Sequence, residues 1–213
     1  MANAITAPDV VVAIYADDTK IFSHDPLLLQ KSLHRVDDWC VNNQIQLAPD
    51  KCVTLSINRG SPHEMCVLST NGAPIRNVDC VKDLGVLLNN KLSPSDHIYE
   101  VSKKAANKAN LLFRVLTSRD ISVYVKAYVS LIRPILEYAS SVASPVTIRE
   151  VNILEGVQRS FTRRAFRRCN LPFPSYQERL NSCKLQTLEL RRWLADVTLV
   201  YKIYNNLVDI PIS

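Results

Sequence analysis

The sequence predicts an α+β fold in which short strands and one helix are followed by helices only. A continuous apolar run, Val10 to Tyr15, and a second β-rich stretch, Thr19 to Phe22, predict a hairpin. From Ser95 onward, apolar residues recur at helical spacing. The 213 residues are 47% hydrophobic and 22% charged, a globular composition, and a chain of this length can bury a sizeable core.

The first strand ends in acidic residues. Val10 to Tyr15 has no alternation with polar residues, which predicts a strand covered on both faces. Ala16-Asp17-Asp18 then interrupts the β-type sequence before it resumes. We therefore expect the two aspartates at the tip of the hairpin.

The next segment predicts one helix and several short strands. Asp25-Pro26 has the pattern of an N-cap followed by a first-turn proline. Asn71-Gly72 is a strong two-residue hairpin signal. The helix should bury one face, which carries Leu29, Leu33, Val36 and Cys40. Four strands are expected after it: Cys52 to Ile57, Met65 to Ser69, Ala73 to Val78 and Asp83 to Leu88.

The helical part should contain five helices, the second of which begins at about Ser122. A kink is expected at Pro134, because proline cannot continue the hydrogen-bond pattern of a helix. Thr147-x-x-Glu150 and Ser175-x-x-Glu178 are capping boxes that begin two further helices. Two apolar stripes mark the first and last helices: Ile98, Val101, Ala105, Ala109, Leu112 and Leu116; then Leu190, Leu194, Val197, Tyr201 and Tyr204.

Several classes of protein are disfavoured. None of the six cysteines has a Cys-x-x-Cys partner or a histidine at zinc-ligand spacing, so we expect reduced thiols in a reducing compartment. No stretch approaches the roughly 20 apolar residues of a membrane span, and no signal peptide is apparent, so a soluble intracellular protein without a membrane partner is expected. The net charge of +6 favours an anionic partner only modestly.

Asp17 and Asp18 are candidate metal ligands. Carboxylate oxygens suit Mg²⁺, which keeps several waters and needs only one or two fixed carboxylates. Two such ions about 4 Å apart can activate a hydroxyl and neutralise a leaving pyrophosphate. Asp-Asp is also ordinary turn chemistry, so the pair alone favours a solvated turn.

The neighbouring residues resemble those of a known family. Tyr15-Ala16-Asp17-Asp18-Thr19-Lys20-Ile21-Phe22 is similar to the acidic palm hairpin of reverse transcriptases from non-LTR, LINE-type and jockey-like retrotransposons. Further similarities follow in the same order over nearly the whole chain, from about Val12 to Pro211. They comprise Gln46 to Cys52, Val81 to Val86, Arg133-Pro134, Leu136-Glu137-Tyr138, Leu154 to Arg163, Leu188 to Arg192 and Tyr201 to Tyr204.

The resemblance implies a division of the chain and a set of roles. Residues 1–92 would be the C-terminal half of the palm, 93–146 the thumb helices, and 147–213 a post-thumb helical segment. Asp17 would bind Mg²⁺ directly, with Asp18 supporting it. Tyr15 would lie near the primer terminus and nucleotide, Lys51 near the triphosphate as a catalytic candidate, and Leu84 and Gly85 in the primer-grip turn. Lys51 is equally well explained as an exposed turn lysine, and Leu84-Gly85 as a plain hairpin turn.

The resemblance also implies missing parts. A polymerase of this type needs a further aspartate and fingers upstream of the hairpin. We therefore expect a fragment of an RNA-directed DNA polymerase that is inactive alone and works with an N-terminal polymerase half. RNA template and DNA primer are the implied partners, and Mg²⁺ the implied cofactor, bound weakly or not at all by this fragment.

Basic residues on two helices are candidates for nucleic-acid binding. Cations along a helix side can follow a phosphate backbone, although a solvated cationic face is the commoner outcome. A non-catalytic nucleic-acid-binding remnant is therefore an alternative, and a reading frame without selected activity is another. The arginine-rich stretch leaves nuclear as well as cytoplasmic localisation open. The candidates are Lys103, Lys104, Lys108, Arg159, Arg163, Arg164, Arg167 and Arg168.

Overall fold

The structure is a computed structural model that describes residues 8–57 and 68–208. The chain divides into two compact units. One comprises the residues up to Val81 with Asn89–Leu92, and the other comprises Lys82–Leu88 with the residues from Ser93 onward. Small sheets and many helices together agree with the predicted α+β class.

The first unit begins with the predicted hairpin. Strands β1 (Val10–Tyr15) and β2 (Asp18–Ser23) pair antiparallel across a two-residue turn. Val12 lies opposite Ile21, and both pack on the next helix beside Val36. The hairpin therefore has one face against the protein core of this unit.

The other face of this hairpin is exposed. Val11 and Tyr15 each keep 65% of their surface in solvent, and Phe22, opposite Val11, keeps 48%. The prediction that β1 is covered on both faces is therefore wrong. A helix packs on one side of the hairpin, and solvent meets three large apolar side chains on the other.

Helix α1 (Pro26–Asn42) organises the first unit. Its N-cap is Asp25, whose side chain accepts the amide of Leu27 at 2.8 Å, as the sequence predicted. Val36 and Cys40 are buried beneath the hairpin, whereas Leu29 and Leu33 are only partly buried. Polar side chains on the helix hold a second hairpin: Gln30 pairs with both backbone groups of Ser69, and Asp37 accepts from Thr70 and Asn71.

Short strands fill the rest of this region. Asn71 and Gly72 have φ values of 49° and 75°, as a tight hairpin turn requires. The strands are β3 (Val53–Leu55), β4 (Ser69–Thr70), β5 (Ala73–Pro74), β6 (Arg76–Val78), β7 (Cys80–Asp83) and β8 (Val86–Asn89).

Two strand predictions need correction. Ala73 to Val78 was expected as one strand but divides at Ile75, because β5 pairs with β4 whereas β6 pairs in parallel with β3. Asp83 to Leu88 was also expected as one strand, but a turn at Leu84 and Gly85 separates β7 from β8. Residues 65–67 of the expected strand before Asn71 lie outside the described residues.

The second unit is built from helices around one core. Phe161 lies 5.0 Å from Phe113 and 5.1 Å from Tyr128 between ring centroids, and all three rings are buried. The predicted capping boxes at Thr147 and Ser175 are both present. The helices are α2 (Ser95–Val115), α3 (Ile121–Ala127), a π-helical turn (Tyr128–Ile132), α4 (Arg133–Glu137), α5 (Ile148–Arg168), α6 (Tyr176–Ser182) and α7 (Leu188–Tyr204).

The predicted interruption at Pro134 takes the form of a π-helical turn. In an α-helix the proline ring would clash with the carbonyl of Ser130 four residues earlier. Instead, the amide of Arg133 donates to the carbonyl of Tyr128, five residues earlier. The wider turn accommodates the proline without ending the helical path, and α4 continues directly from it.

A network of buried hydrogen bonds joins α5 to the start of α7. Gln158 is fully buried; it accepts from the Tyr128 hydroxyl at 2.7 Å and donates to the carbonyl of Gln186 at 3.0 Å. Glu155 accepts from the amide of Leu188 at 2.9 Å and from the hydroxyl of Tyr176. These bonds satisfy polar groups that would otherwise be costly inside the core.

Helix α7 buries little of its predicted apolar stripe. Leu188 and Arg192 are its buried residues. The stripe itself faces solvent, with exposed fractions from 40% to 86% at Leu190, Leu194, Val197, Tyr201 and Tyr204. Within residues 8–57 and 68–208, no helix is both long and apolar enough to cross a membrane.

Candidate acidic turn and nucleic-acid interface

The acidic pair lies at the tip of the first hairpin. Ala16 and Asp17 form the turn, and Asp18 begins β2 opposite Tyr15. Ala16 has a φ of 54°, in the left-handed region that costs a residue with a side chain roughly 1–2 kcal/mol. Both aspartates are exposed. The pairing of the strands thus fixes the backbone of two adjacent carboxylates that are open to a ligand.

The acidic turn supplies two carboxylates and no more. In the described part of the chain, no three histidine, cysteine, aspartate or glutamate side chains converge on a common point. Lys51, on the short 3₁₀ turn Pro49–Lys51, is exposed. Among the described residues, no hydrogen bond or ion pair joins its ammonium group to either aspartate. The arrangement can bind a hydrated divalent cation through one or two oxygens.

The candidate primer-grip residues form a second tight turn. Leu84 and Gly85, between β7 and β8, have φ values of 44° and 85°. The hydroxyl of Tyr138 donates to the carbonyl of Leu84 at 2.7 Å. A Cβ on Gly85 would lie 3.2 Å from the Tyr138 ring, so glycine here serves both the backbone conformation and the close approach. The ring of Tyr138 therefore buttresses this turn.

Two further contacts hold the same hairpin to α2. Lys82 pairs with Glu100 at 2.6 Å, and the amide of Leu87 donates to Nδ1 of His97 at 3.2 Å. The His97 ring is 3% exposed, and its burial lowers its pKa; nearby Glu100 opposes this effect and Lys82 adds to it. The neutral imidazole is thus the form that accepts the hydrogen bond.

Stability should depend on the protonation of His97. Because its folded-state pKa lies below the ordinary 6.5, its contribution is present above pH 6.5 and is lost as pH falls through the folded pKa. We expect the unfolding free energy to decrease on acidification from pH 7 to about 5, with faster exchange of the Leu87 amide.

The control for this prediction is His97→Asn, which places an amide oxygen near the position of Nδ1 and does not titrate. The pKa values of Glu100 and Glu150 are lowered by their hydrogen bonds, so their contributions are lost only at more acidic pH. An equal pH slope in the wild type and His97→Asn between pH 7 and about 5 would contradict the assignment.

Two of the three lysines on α2 line a groove. Lys103, Lys104 and Lys108 are exposed. Lys104 and Lys108 border a cavity of about 440 Å³ with apolar residues on α2, the π-helical turn and α4. These are Leu111, Leu131 and Ile135. The groove is thus lined by both apolar and cationic side chains.

The five candidate arginines of α5 do not form one row. Arg164 lies 4.2 Å above the Phe113 ring and donates to Asn110, and Arg168 donates to the backbone carbonyl of Phe113 at 2.5 Å. These two side chains join α5 to α2. Arg159, Arg163 and Arg167 lie four residues apart on another side of α5 and are exposed.

Aromatic residues beside the second set were not predicted from the sequence as binding residues. Phe173 and Tyr176 each stack with arginines of α5, and Arg179 lies between the two rings. The one available signal was Leu171-Pro172-Phe173-Pro174, in which an aromatic residue lies in a proline-rich loop that cannot be helical.

Comparison with known proteins adds to the evidence from the acidic turn and the basic helices. Over 162 residues the chain is 28% identical to the RNA-directed DNA polymerase from mobile element jockey of Drosophila melanogaster, which covers 69% of this chain and 17% of that protein. The chain is therefore related to this reverse transcriptase. The predicted family resemblance is supported at this level.

A second relative is an uncharacterised protein of Caenorhabditis elegans, 30% identical over 129 residues, which cover 61% of this chain and 63% of that protein. The chain thus spans less than two thirds of the length of each of these two relatives. No protein-family model and no solved structure matches this reverse-transcriptase-like chain.

Proposed function

We propose that this chain is the C-terminal portion of a retrotransposon RNA-directed DNA polymerase. In this proposal residues 1–92 belong to the palm, 93–146 to the thumb and 147–213 to the segment that follows it. Asp17 binds Mg²⁺ with help from Asp18, and Tyr15 and the Leu84-Gly85 turn contact nucleotide and primer. Lys51 lies near the triphosphate in the assembled site.

One observation carries the proposal. The two adjacent aspartates lie at a two-residue turn between paired strands, in a chain related to the jockey polymerase. A paired hairpin restricts the position of both carboxylates, as metal-assisted transfer of a nucleotide requires. An isolated Asp-Asp turn without this relationship would carry no such inference.

The exposed face of the same hairpin supports a role within a larger polymerase. Val11, Tyr15 and Phe22 are exposed apolar side chains on the hairpin face that ends at the acidic turn. The described residues supply no third acidic ligand. Both observations fit a site that another polymerase segment completes by packing on this face and contributing a further carboxylate.

The isolated chain is expected not to extend a primer. Among the described residues no third acidic ligand joins the two carboxylates. The family resemblance assigns the fingers and a further aspartate to another segment of the polymerase, so this chain alone should not hold two metal ions and a nucleoside triphosphate together. The measurement is primer extension on an RNA template with Mg²⁺, comparing the chain with Asp17→Ala. Incorporation that depends on Asp17 would show that the chain is active alone.

A chimera tests the positive half of the proposal. This chain would replace the matching part of the jockey polymerase, and Asp17→Asn should abolish Mg²⁺-dependent incorporation. Asp38→Asn is the matched control, since Asp38 also follows another aspartate and is exposed, but lies on α1. Incorporation that survives Asp17→Asn would refute the metal role of the turn.

A non-catalytic nucleic-acid-binding module is the second candidate. It is favoured by one observation: in the described residues, the exposed side chains of Arg159, Arg163 and Arg167 have no acidic partner. Binding by the whole chain should weaken steeply with salt, because each phosphate contact releases counterions. Salt-sensitive binding by the chain, together with an inactive chimera, would favour this candidate over the polymerase.

A further inference from the structure

Arginines and aromatic rings alternate beside α5. The guanidinium of Arg163 lies 5.4 Å from the Phe173 ring centroid, and that of Arg179 lies 5.3 Å from the same centroid. Arg179 is also 5.5 Å from the Tyr176 ring, over which Arg159 lies at 5.0 Å. We call these five residues the arginine–aromatic ladder.

The centre of the ladder is rigid. Arg179 is 4% exposed; its Nη1 donates to the carbonyl of Pro174 at 2.8 Å and its Nε to the hydroxyl of Thr162 at 3.4 Å. Tyr176 is fixed by the buried network through Gln158, at 3.0 Å. A buried arginine thus holds both rings in place for the outer members.

The outer members are open to solvent. Phe173 keeps 54% of its surface exposed. Arg159 and Arg163 have no hydrogen bond or ion pair within the described residues, and neither has Arg167 one turn further along α5. A guanidinium that lies against a ring has lost part of its freedom before binding, while its edge remains available to two phosphate oxygens.

We propose that the arginine–aromatic ladder, with Arg167, binds a single-stranded nucleic acid. Arg159, Arg163 and Arg167 contact successive phosphates, and an unpaired base stacks on the exposed part of Phe173 and Arg163. The proposal deepens the nucleic-acid-binding part of the proposed function. It places that binding on a surface separate from the lysine groove of α2.

Exposed aromatic surface is what favours single strands over duplexes. The bases of a duplex are already stacked, so a duplex engages cations but gains nothing from Phe173. Single strands bind where cations that follow the backbone are combined with rings on which bases stack, largely without regard to sequence. An acidic polypeptide also matches the charge, but it has no flat base to cover the ring.

The test uses the whole chain and labelled oligonucleotides of about 16 nucleotides: single-stranded RNA, single-stranded DNA and a duplex. Phe173→Ala should weaken single-strand binding about tenfold and leave duplex binding within about twofold. Arg163→Lys should be nearly as weak as Arg163→Ala, because an ammonium group keeps the charge but loses the planar stack.

Two controls match these variants. Arg149→Ala removes an exposed arginine from the start of α5, away from the ladder, and Leu171→Ala removes an apolar side chain from the same loop as Phe173. Both should bind within about twofold of the wild type, and Phe173→Trp should restore what Phe173→Ala loses. Melting curves establish that each variant is folded.

Four results would overturn the inference. The first is wild-type single-strand binding by both Arg163→Lys and Phe173→Ala. The second is an equal loss of duplex and single-strand binding in Phe173→Ala, and the third is displacement of bound RNA by polyglutamate as effectively as by unlabelled RNA. The fourth concerns the lysines of α2. Loss of binding only on neutralising Lys103, Lys104 and Lys108 together would reject the ladder and retain the proposed function. The chimera reports on Asp17 independently of all these outcomes.

Discussion

Replacing Glu155 by leucine is expected to lower the unfolding free energy of the helical unit by about 3–5 kcal/mol. Glu155 is 6% exposed and accepts from Leu188, Tyr176 and Gln158, so its loss leaves three donors without this acceptor. Among the carboxylates that raise the pKa of the Arg192 guanidinium, Glu155 has the largest effect, and Arg192 is 5% exposed. The loss should appear as a lower midpoint in urea denaturation followed by circular dichroism.

Removal of Arg192 is expected to cost much less stability than removal of Glu155. Among the described residues, Nη1 and Nη2 of Arg192 have no hydrogen-bond partner, and burial lowers the pKa of this guanidinium. Glu155, by contrast, keeps its three donors when Arg192 is removed. Arg192→Leu should therefore cost about 1 kcal/mol or less. A larger cost for Arg192→Leu than for Glu155→Leu would contradict this account.

Phe161→Ala should destabilise the same unit by about 3–5 kcal/mol. Phe161 is 2% exposed and lies between Phe113 on α2 and Tyr128 on the π-helical turn. Its truncation removes buried apolar surface and two ring contacts, and it leaves a cavity that three elements must collapse to fill. Thermal and urea denaturation would measure the loss.

Two further variants serve as comparisons for the stability loss of Phe161→Ala. Phe161→Leu keeps most of the volume and should cost about 1.5 kcal/mol or less. Phe173→Ala removes the same side chain from an exposed position and should change stability by about 0.5 kcal/mol. If the two alanine variants were equally stable, the buried core assigned to Phe161 would be wrong.

Local chemistry made much of the fold predictable. The Asp25 cap, the capping boxes at Thr147 and Ser175 and the Asn71-Gly72 turn all depend on neighbours within four residues, and all are present. Proline at position 134 likewise interrupts its own helix. In each case the sequence contains both partners of the interaction within one turn of chain.

Pairing between strands that are distant in the sequence could not be predicted from neighbouring residues. The parallel pairing of β6 with β3 divides Ala73 to Val78, although nothing in that stretch specifies a partner more than 20 residues away. The apolar run of β1 does not reveal that one of its faces is in solvent.

The candidate site was predictable to a similar degree. The acidic turn at Asp17 and the bend at Leu84-Gly85 follow from short motifs, and both turns are present. The separation of the α5 arginines into two groups depends on contacts with Phe113 from α2 and Phe173 from the following loop. A helical repeat alone gave five equivalent cations.

The π-helical turn has a consequence for how this chain can vary. The turn holds one residue more than an α-helical path would, so winding the same residues as an α-helix would rotate everything that follows by about 100°. Tyr138 would then leave the carbonyl of Leu84, and Glu137 would leave its pairing with Arg191. Residues 128–132 should therefore accept those changes of side chain that preserve the wider turn, and Pro134→Ala, which removes the reason for that turn, should loosen both contacts.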